Sequence, residues 1–119
     1  MILVDTSVWV DHLRRGNQRL VDALDEDRVV CHPFVIGELA CGQLQRRREI
    51  LSLLEALPQA RELQHAEALA FLEAHRLQGA GLGWIDVHLV ASARLSHVRL
   101  WTLDLKLQRA AQASHVSLH

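Results

Sequence analysis

The chain has 119 residues, half of them hydrophobic, and a formal net charge of −1. That length makes one domain, 1–119, able to bury about two-thirds of the surface its unfolded form would expose. The near-neutral balance excludes a globally basic nucleic-acid binder but leaves room for a basic rim around an acidic pocket. No apolar run approaches the ~20 residues of a membrane span, and no basic lead precedes the first apolar run. The expectation is therefore a soluble, cytoplasmic protein with no membrane partner.

Met1 to Val4 is an apolar run that stops on Asp5, which reads as a buried strand delivering a carboxylate to its C-terminal edge. Thr6 or Ser7 is the natural N-cap of a following helix that carries Val8, Trp9 and Leu13 on one face and ends at Gly16. Asn17 caps a second helix with Leu20, Val21 and Leu24 inward, closing in the solvated acids Asp25, Glu26 and Asp27. Arg28 to Cys31 is short and β-branched and forms the second strand. After His32, Pro33 opens a helix at the first-turn position that proline tolerates. Glu38 is the one acid on that helix, among Phe34, Val35, Ile36, Leu39 and Ala40, and an acid buried in such company needs a cation or a cleft. Gly42 ends the helix.

Arg46, Arg47 and Arg48 start the next helix, with Ile50, Leu53, Leu54 and Leu57 as its apolar stripe and Pro58 as its stop. Consecutive arginines point in different directions, so one or two can meet a common ligand; RNA backbone contact and a solvated face are the two readings. Ala60 to Leu63 is a candidate third strand. His65 to Leu77 reads as a helix with Ala66, Leu69, Ala70 and Leu72 facing in. The glycines at 79, 81 and 83 form a linker rather than a phosphate cradle, because they match neither a dinucleotide fingerprint nor a P-loop. From Trp84 to Ser96 the chain is apolar on most sides, a buried helix with Asp86 in its first turn, where the dipole favours an anion. Val98 to Leu103 is the next strand and runs into Asp104. A last helix spans about Leu105 to Gln112, and His115 to Leu118 is a candidate edge strand.

Cys31 and Cys41 fit neither a zinc knuckle nor a redox pair and read as small buried side chains. Lys106 is the only lysine; arginine, which supplies the rest of the basic charge, suits bidentate phosphate contact and is also what a GC-rich genome favours.

Strands alternating with helices imply an α/β fold, a three-layer α/β/α sandwich around a mostly parallel sheet of four to five strands. In such sheets ligands bind beyond the carboxyl ends of the strands. Asp5 and Asp104 occupy strand ends of that kind, and Glu38 and Asp86 follow segments at the same edge. Carboxylates ~4 Å apart repel by about 4 kcal/mol per pair at an effective dielectric of 20, so a positive charge must hold them together. Oxygen-only donors favour magnesium or manganese over zinc. One or two such ions suit attack by water on a phosphodiester.

Ile2 to Val8, then Glu38-Leu39-Ala40-Cys41-Gly42, then Asp86 opening an Ala/Leu-rich helix, then Thr102-Leu103-Asp104 resemble the PIN-domain nucleases, and among them the VapC toxins of type II toxin–antitoxin pairs. The resemblance covers nearly the whole chain. It implies a magnesium- or manganese-dependent endoribonuclease, a homodimer, and inhibition by a small VapB-like antitoxin. It also implies that Asp5, Glu38, Asp86 and Asp104 are the catalytic and metal-binding acids, with Thr6, Ser7 and Thr102 as supporting hydroxyls. The RNA would be transfer or ribosomal RNA. The chain departs from the pattern at His32, where a small hydroxyl residue is common, and at Leu107, where phenylalanine is usual. The histidines, His88 among them, read as surface or packing residues, and Trp9, Trp84 and Trp101 as core or dimer contacts. The competing reading is a degenerate PIN domain that binds RNA or protein without cleavage. A dehalogenase-type phosphatase is disfavoured by Ser7 at the second-acid position, and a receiver domain by the lack of paired early acids.

Overall fold

The computed structural model describes residues 1–119. In chain order the elements are β1 (Ile2–Val4), α1 (Thr6–Arg15), α2 (Gln18–Asp25), β2 (Val29–Val30), α3 (Pro33–Cys41), α4 (Arg47–Ala56), α5 (His65–Ala74), α6 (Trp84–Leu95), β3 (Arg99–Trp101) and α7 (Leu105–Ala113). The strands pair in parallel in the order β2-β1-β3, with Ile2 opposite both Val29 and Arg99, and Val4 opposite Trp101. β1 lies in the middle, and its three side chains are fully buried, which is why its sequence is apolar without alternation.

The sheet is narrower than the expected four to five strands. Beyond β2 and β3 the pairing continues as single parallel bridges, Cys31 with Gln59 and Leu100 with Leu118. The Cys31 amide donates to the Pro58 carbonyl at 2.8 Å and the Ala60 amide to the Cys31 carbonyl at 2.7 Å. Pro58 has no amide hydrogen and Arg61 and Glu62 are exposed, so the rung at Gln59 does not grow into the strand expected over Ala60 to Leu63. On the other side Leu100 bonds to Ser117 and His119, one rung deep, in place of an edge strand from His115.

Helix α6 carries the longest buried stretch, every residue from Val87 to Ala93, consistent with its all-round apolar sequence. α5 is shorter than expected and turns a different face inward: Ala68 is buried and Phe71 and Leu72 half-buried, whereas Ala66, Leu69 and Ala70 are exposed. With alanines and leucines on nearly every side, this helix has no strong amphipathic stripe to fix its rotation, and its packing on α6 decides. Cys31 is buried as expected, but Cys41, in the last turn of α3, is exposed. Because all strands are parallel, the residues that follow β1 and β3 leave the sheet at one edge. Asp5 and Thr102 to Asp104 meet there.

Candidate active site

Asp5 is the N-cap of α1, the position the sequence pattern offers to Thr6 or Ser7. Its side chain accepts from the Ser7 amide at 3.4 Å, and it is only 6% exposed. Two hydroxyls complete its support: Ser7 Oγ donates at 2.8 Å and Thr102 Oγ1 at 2.7 Å. Having given their protons to Asp5, these hydroxyls accept from the next loop, Ser7 Oγ from the Leu103 amide at 3.0 Å and Thr102 Oγ1 from the Asp104 amide at 3.1 Å. A neutral hydroxyl with one proton can do both at once, so the network fixes its own direction. All three bonds to the Asp5 carboxylate land on Oδ2. Oδ1 stays available to a ligand.

Asp104 caps α7, its Oδ1 accepting from the Lys106 amide at 2.9 Å, and its side chain is exposed. Asp86 stands in the first turn of α6 and accepts from the Gly83 amide at 3.0 Å, closing the helix N-terminus. Burial pushes the Asp86 carboxyl above the usual range; the Gly83 amide pulls it down, and the negative charges of Asp5 and Asp104 raise it further. That coupling ties the acids from three separate chain segments to one site. Glu38 is exposed rather than buried among its apolar sequence neighbours, and it opens onto a cleft, one of the two settings its sequence context allowed. Its Oε1 accepts from Thr6 Oγ1 at 2.7 Å, and it lines a groove of about 560 Å³ with Thr6, Arg14 and Gln43. The three supporting hydroxyls are thus divided: Ser7 and Thr102 serve Asp5, and Thr6 serves Glu38.

None of the four acids is in an ion pair; the paired carboxylates are Asp11, Glu26 and Glu67, each with an arginine elsewhere. No three His, Cys, Asp or Glu side chains approach closely enough to enclose an ion by themselves. The four acids that the sequence pattern places in one cradle therefore stand as an open rim. An open rim of oxygen donors with one free oxygen on a rigid Asp5 fits a hard divalent cation that retains most of its water, and fits zinc poorly.

His32, a departure from the family pattern, has a structural task. Its Nδ1 accepts from the Phe34 amide at 2.9 Å as the N-cap of α3, which leaves Nε2 to donate to Ser92 Oγ on α6 at 3.1 Å. Burial, with His88 nearby, lowers its pKa to about 4. His88 is buried between Phe34 and Trp84, with ring centroids 4.8 and 4.9 Å away. Trp9 and Trp101 are core residues and Trp84 is partly exposed. Sequence reasoning missed the Gly83 amide and the His32 cap; the His-Pro pair at a helix start is the signal that could have found the second.

The three arginines at the start of α4 are not gathered at the acids. Arg47 donates to the Ala40 carbonyl at 2.6 Å and the Gly42 carbonyl at 3.2 Å, satisfying the open C-terminus of α3. Arg46, in a left-handed conformation at φ 53°, and Arg48 are exposed.

Comparison with known proteins bears on the family and the fold. The PIN domain family model matches residues 2–113. Ribonuclease VapC32 of Mycobacterium tuberculosis, in two strains, is 46% identical over 119 residues, covering 99% of this chain and 96% of the relative. Among solved structures, FitAB bound to a DNA fragment superimposes with a TM-score of 0.70 at 22% identity, covering 100% of this chain and 94% of the other. FitAcB from Neisseria gonorrhoeae gives 0.67 at 24% identity over 99% and 96%, and PAE2754 from Pyrobaculum aerophilum 0.63 at 15% over 94% and 80%. The chain therefore belongs to the PIN-domain family and is a relative of the VapC proteins.

Proposed function

We propose that this protein is a divalent-metal-dependent endoribonuclease, the toxin of a type II toxin–antitoxin pair, acting on structured RNA of the transfer or ribosomal kind. One observation carries the metal site: Asp5 is buried with every hydrogen bond on one carboxylate oxygen, and Asp86 feels Asp5 and Asp104 while no arginine or lysine pairs with any of them. Asp5, Asp86 and Asp104 would hold magnesium or manganese, one or two ions, with Glu38 at the rim. The bound ion would supply Lewis acidity, lowering the pKa of a water and neutralising charge at the phosphodiester. Within the protein, Ser7 and Thr102 hold the Asp5 carboxylate in one orientation, Gly83 does so for Asp86, and Thr6 for Glu38.

The proposed assembly includes a small antitoxin and a homodimer. An apolar groove of about 240 Å³ between α1, α2 and α4 supports the first: Trp9, Leu13, Leu24, Ile50, Leu53 and Leu57 line it, and Leu53 is 59% exposed. An amphipathic helix of a partner would cover that surface.

Mapping the 5′ ends of total cellular RNA tests the enzyme. Wild type in magnesium should cut at discrete sites, and both EDTA and Asp5→Asn should lower the rate by about a thousandfold, roughly 4 kcal/mol of barrier. Equal cleavage under all three conditions would overturn the proposal.

A further inference from the structure

A second groove, of about 320 Å³, lies between the C-terminal end of α5 and the outer face of α7. Its polar lining is cationic: His75, Arg76, Lys106 and Arg109, over a floor that includes Leu77 and Ala110. No carboxylate lines it, and none of these basic groups is in an ion pair. Arg76, Lys106 and Arg109 are exposed. In a chain of net charge −1, an unpaired basic groove is a local feature against the overall balance.

One lining residue of the groove, Lys106, adjoins the acid rim. The Lys106 amide donates to Asp104, and the Lys106 side chain crosses from α7 to the glycine loop, where it lies against Gly81. A Cβ at Gly81 would stand 3.1 Å from Lys106 Cδ and 3.3 Å from Nζ, and φ at Gly81 is +78°. Glycine thus meets a backbone requirement and leaves room for the lysine stem. The same loop runs on to Gly83, whose amide holds Asp86. Lys106 therefore spans the two segments that deliver Asp104 and Asp86, and Arg109 continues the charge one turn along α7. The tethered Arg47 and the scattered Arg46 and Arg48 have no such relation to the acids.

We propose that the groove of Arg76, Lys106 and Arg109 binds the phosphodiester backbone of the RNA strand beside the site of cleavage, steering it onto the acid rim. This rests on the ribonuclease reading, and it deepens that reading by naming the substrate-binding surface. Contact is with phosphate, so it is independent of base sequence and falls with salt.

The test is binding of a labelled single-stranded RNA oligonucleotide of mixed sequence to the full chain in EDTA, by fluorescence anisotropy across a salt series. Lys106→Gln with Arg109→Gln should weaken binding about tenfold and flatten the plot of log affinity against log salt by roughly 1.4, at ~0.7 for each phosphate the protein no longer neutralises. The charge-matched pair Arg46→Gln with Arg48→Gln should leave both within twofold of wild type. All these side chains are exposed, so unchanged thermal midpoints will show that both variants are folded. A groove variant that binds like wild type, or a control that weakens as much, overturns the proposal. Cleavage in magnesium is scored separately: groove-dependent binding without cleavage supports the groove and refutes the enzyme, and cleavage with groove-independent binding does the reverse.

Discussion

On the β1–β3 side of the acid rim, Asp5 is buried and gripped by an amide and two hydroxyls whose own acceptor positions are filled by the loop amides of Leu103 and Asp104. On the α3–α6 side, Glu38 is exposed with a single hydroxyl donor, and Asp86 has a single backbone amide. The second side is instead rigid behind the acids: His32 bonds across from α3 to Ser92 on α6, and the rings of His32, Phe34, His88 and Trp84 follow one another at 4.8 to 5.1 Å. The first side fixes Asp5 directly and leaves Asp104 beside it exposed on one amide; the other orients the helices and lets Glu38 and Asp86 adjust. A cation arriving at the rim would find Asp5 ready and draw the others toward it, which suits a donor that must be fixed beside donors that must yield.

Three perturbations would sharpen or break that contrast. The largest effect concerns His32. Its folded pKa of about 4 lies below the ordinary 6.5, so the neutral ring is the form the fold favours. The stability it contributes is complete above about pH 6.5 and declines as pH falls toward about 4, by roughly 3 kcal/mol at most. Urea midpoints of wild type and His32→Asn across that window should diverge, with the variant showing the flatter dependence; parallel curves would mean that the α3–α6 contact is not what His32 secures.

Next comes Thr102→Val, which keeps the shape and deletes the hydroxyl. It leaves Asp5 short of a donor and the Asp104 amide short of an acceptor, at about 1–3 kcal/mol of stability, and cleavage should fall with it. Thr6→Val, removing an exposed bond to Glu38, should change stability by no more than about 0.5 kcal/mol. Equal losses in chemical denaturation would erase the distinction between a wired and an adjustable side.

The smallest effect is expected at Asp86. Its carboxyl is raised in the folded state, so the protonated form is favoured there and stability is lost as pH rises through the folded value. At neutral pH in EDTA, Asp86→Asn should therefore raise the thermal midpoint slightly, because an amide can still accept from Gly83 without the cost of burying a charge or the smaller repulsion of Asp5 and Asp104. Magnesium should then raise the midpoint of wild type and do so less for the variant. A lower midpoint for Asp86→Asn in EDTA would show that the Asp86 charge does not work against the fold.

How much of this is legible in the sequence depends on the range of the interaction. β1, the Leu100–Trp101 half of β3 and the middle of α6 are readable because their burial is continuous, and an apolar run ending in an acid needs no partner to be recognised. The four acids and their order follow from the same contexts. Which hydroxyl serves which acid does not, since Ser7 meets Thr102 only through the pairing of β1 with β3, and Thr6 meets Glu38 only because α1 packs beside α3. Likewise Arg46 to Arg48 look like a ligand-binding run until the carbonyls of Ala40 and Gly42 claim Arg47. The lone lysine, a neighbour of Asp104 in sequence, looks ordinary until the glycine loop folds against it.

The sheet has a further consequence through its flanks. Beyond β2 and β3 each side is closed by one rung, at Gln59 and at Leu118, drawn from segments without regular strand structure. A strand from another molecule would find no row of free amides and carbonyls long enough to pair with, and this guards the parallel core against edge-to-edge polymerisation. Any association with copies or partners would then fall to the helical faces, where specificity is read from side chains rather than from backbone.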